Sequence, residues 1–288
     1  PSNLVLIIIY IIIFLNNLNS SDYRDFRPSI QMAAALFLKT KLFKHGSWDE
    51  SLWWLNIKIK RTVSNFKPQS KLFKSGYVRI NSNQSWGIIR FPHFKFRPSH
   101  NDVFHFDLWH NGKNILCDAG TYSYNPPINE SALDLKSVKH HNTVCFEDKE
   151  QMPKLSRFLL GKWLKPHVVG EIKSSSNGSI YWEGSYVDNF KNKHLRKIYV
   201  KDNNWTIEDE IDGNFKEAII GFNLNLSDYR ILGNKIVHPL GYISPPDASE
   251  YFLTDTITSE YYNLKKQIIR LNIKVYCPGT YSTHFIFN

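Results

Sequence analysis

Between Arg97 and Asn125 the chain reads RPSHNDVFHFDLWHNGKNILCDAGTYSYN, strand-forming residues threaded with His100, Asp102, His105, Asp107 and Asp118. Imidazoles titrate near neutral pH and ligate metals, and carboxylates orient them. The stretch could therefore move protons, hold a cation, or only face water. Asn111-Gly112 predicts a two-residue hairpin turn, because both residues tolerate positive φ. Counting outward, His110 faces Lys113, Trp109 faces Asn114, Asp107 faces Leu116 and His105 faces Asp118. Side chains alternate along a strand. Val103, His105, Asp107 and Trp109 then share one face, and Phe104, Phe106 and Leu108 form the core face. His105 and Asp118 fall opposite each other with Cβ atoms about 5 Å apart. Such a pair is either a cross-strand polar contact or a site.

A second stretch, VKHHNTVCFEDKEQMP, runs from Val138 to Pro153. His140 and His141 are adjacent, so on a strand they point to opposite faces and only one can join the hairpin cluster. His141 with Asp118 and either His100 or His105 would suit Zn²⁺, which takes imidazole nitrogen and carboxylate oxygen. A hydrolase built on Asp102 and Asp107 is disfavoured, because residues five apart fall on opposite faces of a regular strand.

These residues need a scaffold, and the rest of the chain describes one. From Arg27 to about Leu55 the pattern is helical, with Ser47 as the expected N-cap of GSWDESLWWL and Glu50 three residues on. Two short apolar helices cannot make a domain alone. Residues 1–57 therefore read as the end of a larger helical domain. After about Lys58, short alternating segments are bounded by Gly, Asn, Ser, Asp or Pro: SGYVRINS, VFHFDLW, SIYWEGSY, NWTIEDEI, EAIIGFNL and QIIRLNIKVY among them. Many short strands without intervening helices predict an antiparallel β-sandwich over residues 58–288.

Composition narrows the partners. The 288 residues carry a formal charge of +10, with 42% hydrophobic and 15% aromatic content. The surplus favours anionic partners. Basic residues are scattered and no nucleic-acid-binding signature is present, so nucleic acid is not expected. Three widely spaced cysteines, Cys117, Cys145 and Cys277, read as buried free thiols. The apolar run Leu4–Leu15 is short for a membrane span, which needs roughly 20 residues. It follows Pro1, not Met, and points to a fragment of a longer protein.

The two histidine stretches, with SRFLLGKWLK and the upstream SDYRDFRPSIQ and SWDESLWWL, resemble the heparinase II/III-like family of polysaccharide lyases, in particular its branch associated with surface polysaccharides. The resemblance implies an (α/α) toroid followed by a β-sandwich, export to the periplasm or cell surface, and β-elimination on an anionic, uronic-acid-containing polysaccharide. It implies a structural zinc ion held by His100, Asp118 of Asp118-Ala119-Gly120, and His141 of His141-Asn142-Thr143. Arg97 and Tyr122 are the expected substrate contacts. The chain departs from the family at Pro98, where a catalytic His is expected, and His105 is the candidate to take that role. The family's catalytic Tyr lies on the toroid, so the chain by itself is expected to be inactive. Pro98 also motivates a second reading, a non-catalytic glycan-binding protein.

Overall fold

Alternation along the strands sets the architecture. In Asn204–Asp212, Trp205, Ile207, Asp209 and Ile211 are buried while the residues between them are partly exposed. A strand patterned this way needs a second apolar layer to cover one face. In the computed structural model, which describes residues 21–22, 25–60, 68–126, 134–247 and 250–288, two antiparallel sheets supply it.

Strands are numbered along the chain. The first sheet contains β1 (Lys71–Phe73), β2 (Tyr77–Asn81), β3 (Ser85–Arg90), β4 (Phe106–His110), β5 (Lys113–Leu116), β6 (Val144–Phe146), β14 (Ala218–Leu224), β18 (Glu250–Thr258) and β19 (Lys266–Val275). Their order is β1-β2-β3-β4-β5-β14-β19-β18, with β6 also on β14. The second sheet contains β9 (Pro166–Val169), β10 (Lys173–Ser174), β11 (Ile180–Val187), β12 (Lys193–Lys201), β13 (Asn204–Asp212), β15 (Arg230–Leu232), β16 (Lys235–His238), β17 (Gly241–Ser244) and β20 (Gly279–Phe287). Its order is β10-β11-β12-β13-β20-β17-β16-β15, with β9 also on β11. A small hairpin, β7 (Lys154–Ser156) and β8 (Leu159–Leu160), stands apart. The expected antiparallel sandwich is what forms.

The core lies between the inner faces. Phe222 meets Phe285 edge-on at 5.3 Å, and Phe106 meets Trp205 at 5.7 Å. Each such ring buried contributes about 1.5–3 kcal/mol. Trp205 Nε1 donates to Ser85 Oγ at 2.7 Å, so its one polar atom is satisfied across the sheets.

The chain divides into two compact units, residues 1–68 and 69–288. In the first, α1 (Arg27–Ala33) continues as a π-type turn to Leu38 and stops at Lys39, whose φ is +52°. A single 3₁₀ turn, Ser47–Asp49, leads into α2 (Glu50–Trp54). Ser47 is not the cap expected of it. It sits inside the turn, Gly46 precedes it, and no side chain caps that end. Asp49 is engaged instead with Gln31, Lys41 and His45. The Leu4–Leu15 run lies outside the described residues, among which no helix is long and apolar enough to cross a membrane. All three cysteines are free, but only Cys117 and Cys145 are buried; Cys277 is exposed, contrary to expectation.

Candidate active site

The hairpin turn forms as read, with φ of +49° at Asn111 and +73° at Gly112. His110 pairs with Lys113 and Trp109 with Asn114. The register then slips: Leu108, not Asp107, pairs with Leu116. This bulge gives β5 one extra residue and ends the simple face count. His105 precedes β4 and has no ladder partner, so its approach to Asp118 is not the cross-strand pairing expected. Its Nε2 lies 3.6 Å from both Asp118 Oδ2 and Asp107 Oδ2.

Residues 97–105 run irregularly into β4, and their buried backbone is tied by named partners, as it must be away from water. Asn101 N–H donates to Lys136 O, Val103 N–H to Gln151 Oε1, and His105 N–H to Asp102 O. Arg90 Nη1 donates to Asp102 Oδ2 at 2.8 Å. Phe104 is fully buried with φ of +62°, a conformation that costs a bulky residue roughly 1–2 kcal/mol. Its N–H donates to Arg90 O, its carbonyl accepts from Arg196, and its ring packs against Trp182 and Tyr186.

The Asp118-Ala119-Gly120 turn aims one carboxylate oxygen. Gly120 N–H donates to Asp118 Oδ1 at 2.6 Å, and Thr258 Oγ1 donates to the Asp118 carbonyl. Gly120 has φ of +77°, and a Cβ there would lie 2.1 Å from Ser259 O, so the turn requires glycine. Oδ2 remains for His141, whose Nδ1 lies 3.0 Å away.

His140 and His141 do not lie on a strand as expected. Val138–His140 is a 3₁₀ turn, and His141 follows it in extended conformation. In His141-Asn142-Thr143 only the first residue joins the cluster. Asn142 Nδ2 donates to Phe106 O and Cys117 O, and its Oδ1 accepts from Asn223 N–H. Thr143 Oγ1 donates to Val103 O at 2.7 Å. The amide and hydroxyl thus fasten β4, β5 and β14 around the imidazole.

Three imidazoles surround Asp118. The His100 and His105 rings each lie 5.3 Å from the His141 ring. Asn142 N–H donates to His105 Nδ1 at 3.0 Å, which assigns the neutral ring's proton to Nε2, toward Asp107 and Asp118. Burial opposes a charge on His105, but those two carboxylates outweigh it and raise its pKa. Burial and the neighbouring His141 push His100 down to about 4. Burial disfavours the Asp118 carboxylate too, yet the surrounding imidazoles hold it well below the usual range.

The cluster meets a donor test for a cation. Ligand atoms of His100, Asp118 and His141 lie within 4.8 Å of one another, and this is the set expected for zinc. His141 Nε2 is buried without a hydrogen-bond partner, as is His105 Nε2. Buried polar atoms are nearly always paired.

His100 faces outward; its Nε2 lies 3.2 Å from Thr121 Oγ1. Both residues line a cleft of about 300 Å³ with Arg97, Tyr124, Lys136 and Arg157. Arg97 thus borders the cleft. Tyr122 does not line it: its φ is +62° and Lys265 Nζ sits over its ring at 4.4 Å. Pro98 is buried, and His105, 7% exposed, lies behind the cleft wall.

Residues 67–267, well over half of the chain, match the family model described as heparinase II/III-like, C-terminal. The chain belongs to the heparinase II/III-like family. Its fold is also that of solved heparinase structures. It superposes on heparan sulfate lyase HepC from Pedobacter heparinus with a TM-score of 0.68 and 15% identity, covering 93% of this chain and 42% of that one. For a crystal structure of heparinase III the values are 0.66, 14%, 94% and 44%. For the heparinase III BT4657 gene product they are 0.62, 15%, 83% and 39%. The chain therefore spans about two fifths of the length of these structures. A sequence comparison with curated proteins finds no match.

The heparinase II/III-like sandwich also contains a support that sequence reading missed. Arg196 on β12 is fully buried and grips Asp209 on β13 through Nε and Nη2, at 2.7 and 2.9 Å. Its Nη1 donates to Phe104 O and Asn142 O at 2.6 Å each; Phe104 precedes His105, and the Asn142 N–H donates to the His105 ring. Behind His141, Arg270 Nη2 donates to the His141 carbonyl and Nη1 to Asn223 Oδ1. A signal for the first existed: Arg196 and Asp209 occupy apolar-parity positions, between Ile198 and His194 and between Ile207 and Ile211.

Proposed function

We propose that this chain is the C-terminal portion of a polysaccharide lyase acting by β-elimination on a uronic-acid-containing anionic polysaccharide. The carrying observation is the set of three imidazoles around Asp118, at the edge of a cleft lined by Arg97, Lys136 and Arg157. A uronate C5 proton is acidified by its carboxyl group. A base removes it, the C–H electron pair becomes the C4–C5 double bond, and the 4-O leaving group departs with a proton from an acid. Positive groups around the carboxylate stabilise the charge that develops there. His100 is the member of the cluster that reaches the cleft, and Arg97 meets the polymer at its rim. His105 holds a proton on Nε2 against Asp107 and Asp118; standing behind the cleft wall, it serves the proton-transfer function missing at Pro98 through the Asp118 cluster and not by direct contact with the sugar. Tyr122 does not line the cleft and is left out of the substrate wall; Lys265 Nζ sits over its ring. A zinc ion, if bound, would be held by His100, Asp118 and His141 and would fix these side chains and supply positive charge to the site.

The relatives' remaining length accounts for the second half of the proposal: the isolated chain binds polymer but does not turn it over. It belongs to an enzyme exported to the periplasm or cell surface. A longer form that carries the helical domain, incubated with a uronate polymer, should yield unsaturated uronide ends detectable by ultraviolet absorbance. Saturated ends would overturn the reaction class, and unsaturated ends from the isolated chain would overturn its dependence on the rest. The second reading, a glycan-binding protein without catalysis, is favoured by Pro98. Saturable binding with no product from the longer form would establish it.

A further inference from the structure

The cleft beside His100 continues into a second lobe of about 280 Å³. Thr121, Tyr124, Lys136 and Arg157 line both lobes, whereas His100 and Arg97 border only the first. Together the lobes reach the size of ordinary ligand sites, roughly 300–1,000 Å³. Lys136 and Arg157 thus stand at the junction of the two lobes, shared between the part that His100 borders and the part that it does not.

Their charges are unspent. Asp134, which also lines the second lobe, pairs with Lys154, and among the described residues Arg157 donates to the side-chain oxygen of Asn125. Among the described residues no carboxylate pairs with Arg97, Lys136 or Arg157. Lys136 Nζ is held between two rings, 4.9 Å from the centre of Tyr124 and 5.1 Å from that of Phe158. Cation–π contacts of this kind fix an ammonium without neutralising it. Burial lowers the Lys136 pKa, and Lys154 and Arg157 add to that while Asp134 opposes it. An oxyanion between Lys136 and Arg157 would relieve the repulsion and accept charge-assisted hydrogen bonds. Tyr124 and Phe158 are 49% and 48% exposed, leaving ring surface for the apolar face of a sugar.

We infer that Lys136 and Arg157, framed by Tyr124 and Phe158, form a subsite for an oxyanion substituent on the sugar next to the one at His100. The inference rests on the polysaccharide reading above and adds to it: the polymer carries acidic groups on consecutive sugars. The pair is a specificity element, not part of the proton-transfer machinery.

Binding of the whole chain to three polymers tests this. The first alternates glucuronate with N-acetylglucosamine. The second is the same polymer bearing sulfate on the amino sugar. The third is a polyuronate with a carboxylate on every sugar. The chain should bind the second or third about tenfold more tightly than the first, the size of one charge-assisted contact. Whichever is preferred identifies sulfate or carboxylate as the group. Lys136→Gln/Arg157→Gln should bring the ratio to near unity, with an unchanged melting temperature. Lys201→Gln/Lys235→Gln, which removes two exposed charges elsewhere, should leave the ratio intact. Equal losses in both double variants, or no preference in the unaltered chain, would overturn the subsite and leave the lyase reading standing. No binding of any of the three polymers would overturn both.

Discussion

Two histidine–carboxylate clusters among the described residues of this sandwich differ in what is left unpaired. Around Asp209 every strong group is satisfied: Oδ1 accepts from His194 Nε2 and Arg196 Nε, and Oδ2 accepts from Arg196 Nη2. His194, Arg196 and Asp209 are all fully buried. Around Asp118 the carboxylate is partly exposed, one imidazole borders a cleft, and two ring nitrogens lack partners. The same residue types form a strut in one place and a site in the other. Burial with full pairing separates them, because a saturated network has no valence to offer a ligand.

The largest effect should come from unbalancing the strut. Asp209→Ala leaves a buried guanidinium without its counter-charge and should cost about 3–5 kcal/mol in urea unfolding. Arg196→Met/Asp209→Leu should recover most of that loss yet leave the Phe104 and Asn142 carbonyls without their donor. A double variant as unstable as Asp209→Ala would mean that those carbonyl contacts, not charge balance, dominate.

Next is the response to zinc, which should mark only the Asp118 cluster. At about 100 times its dissociation constant, the ion should stabilise the chain by about 2.7 kcal/mol. Asp118→Asn and His141→Gln should abolish that gain. No gain in the unaltered chain would make the cluster a hydrogen-bonded polar group and weaken the contrast.

Acid sharpens the comparison from the other side. Burial disfavours the Asp209 charge, but Arg196 and His194 outweigh it and bring its pKa to about 2. An unfolded aspartate titrates near 3.9, so this depressed group stabilises the fold above about pH 4. The contribution, about 2–3 kcal/mol, is lost as pH falls through about 2. Unfolding measured between pH 5 and 2 should show that slope, and Asp209→Asn should flatten it. The smallest effect belongs to Lys197, one residue along and on the opposite face. It pairs with Glu208 at 2.8 Å, part-exposed, and Lys197→Met should cost less than about 1 kcal/mol. A cost like that of Asp209→Ala would show that face and burial do not govern these pairs.

Much of the fold was legible because it depends on local pattern. Alternation in Asn204–Asp212 and the Asn111-Gly112 turn are consequences of backbone geometry and residue type. His100, Asp118 and His141 were legible as a group only through the family resemblance of their motifs. The slip at Leu108 was not legible, since a bulge inserts one residue without any obligatory sequence mark. The Ser47 cap failed because the 3₁₀ turn already includes Ser47, which moves the cap position to Gly46.

The sequence by itself determined that the chain would form an antiparallel sandwich and that its hairpin would turn at Asn111-Gly112. Those outcomes follow from periodicity and allowed φ. Only the tertiary structure decided which imidazole reaches the cleft and which stands behind it. It alone brought Lys136 and Arg157 together and set Arg196 across the two sheets onto the carbonyls of Phe104 and Asn142. Contacts between residues far apart in sequence depend on how two sheets stack and where a register slips, and no local preference encodes either.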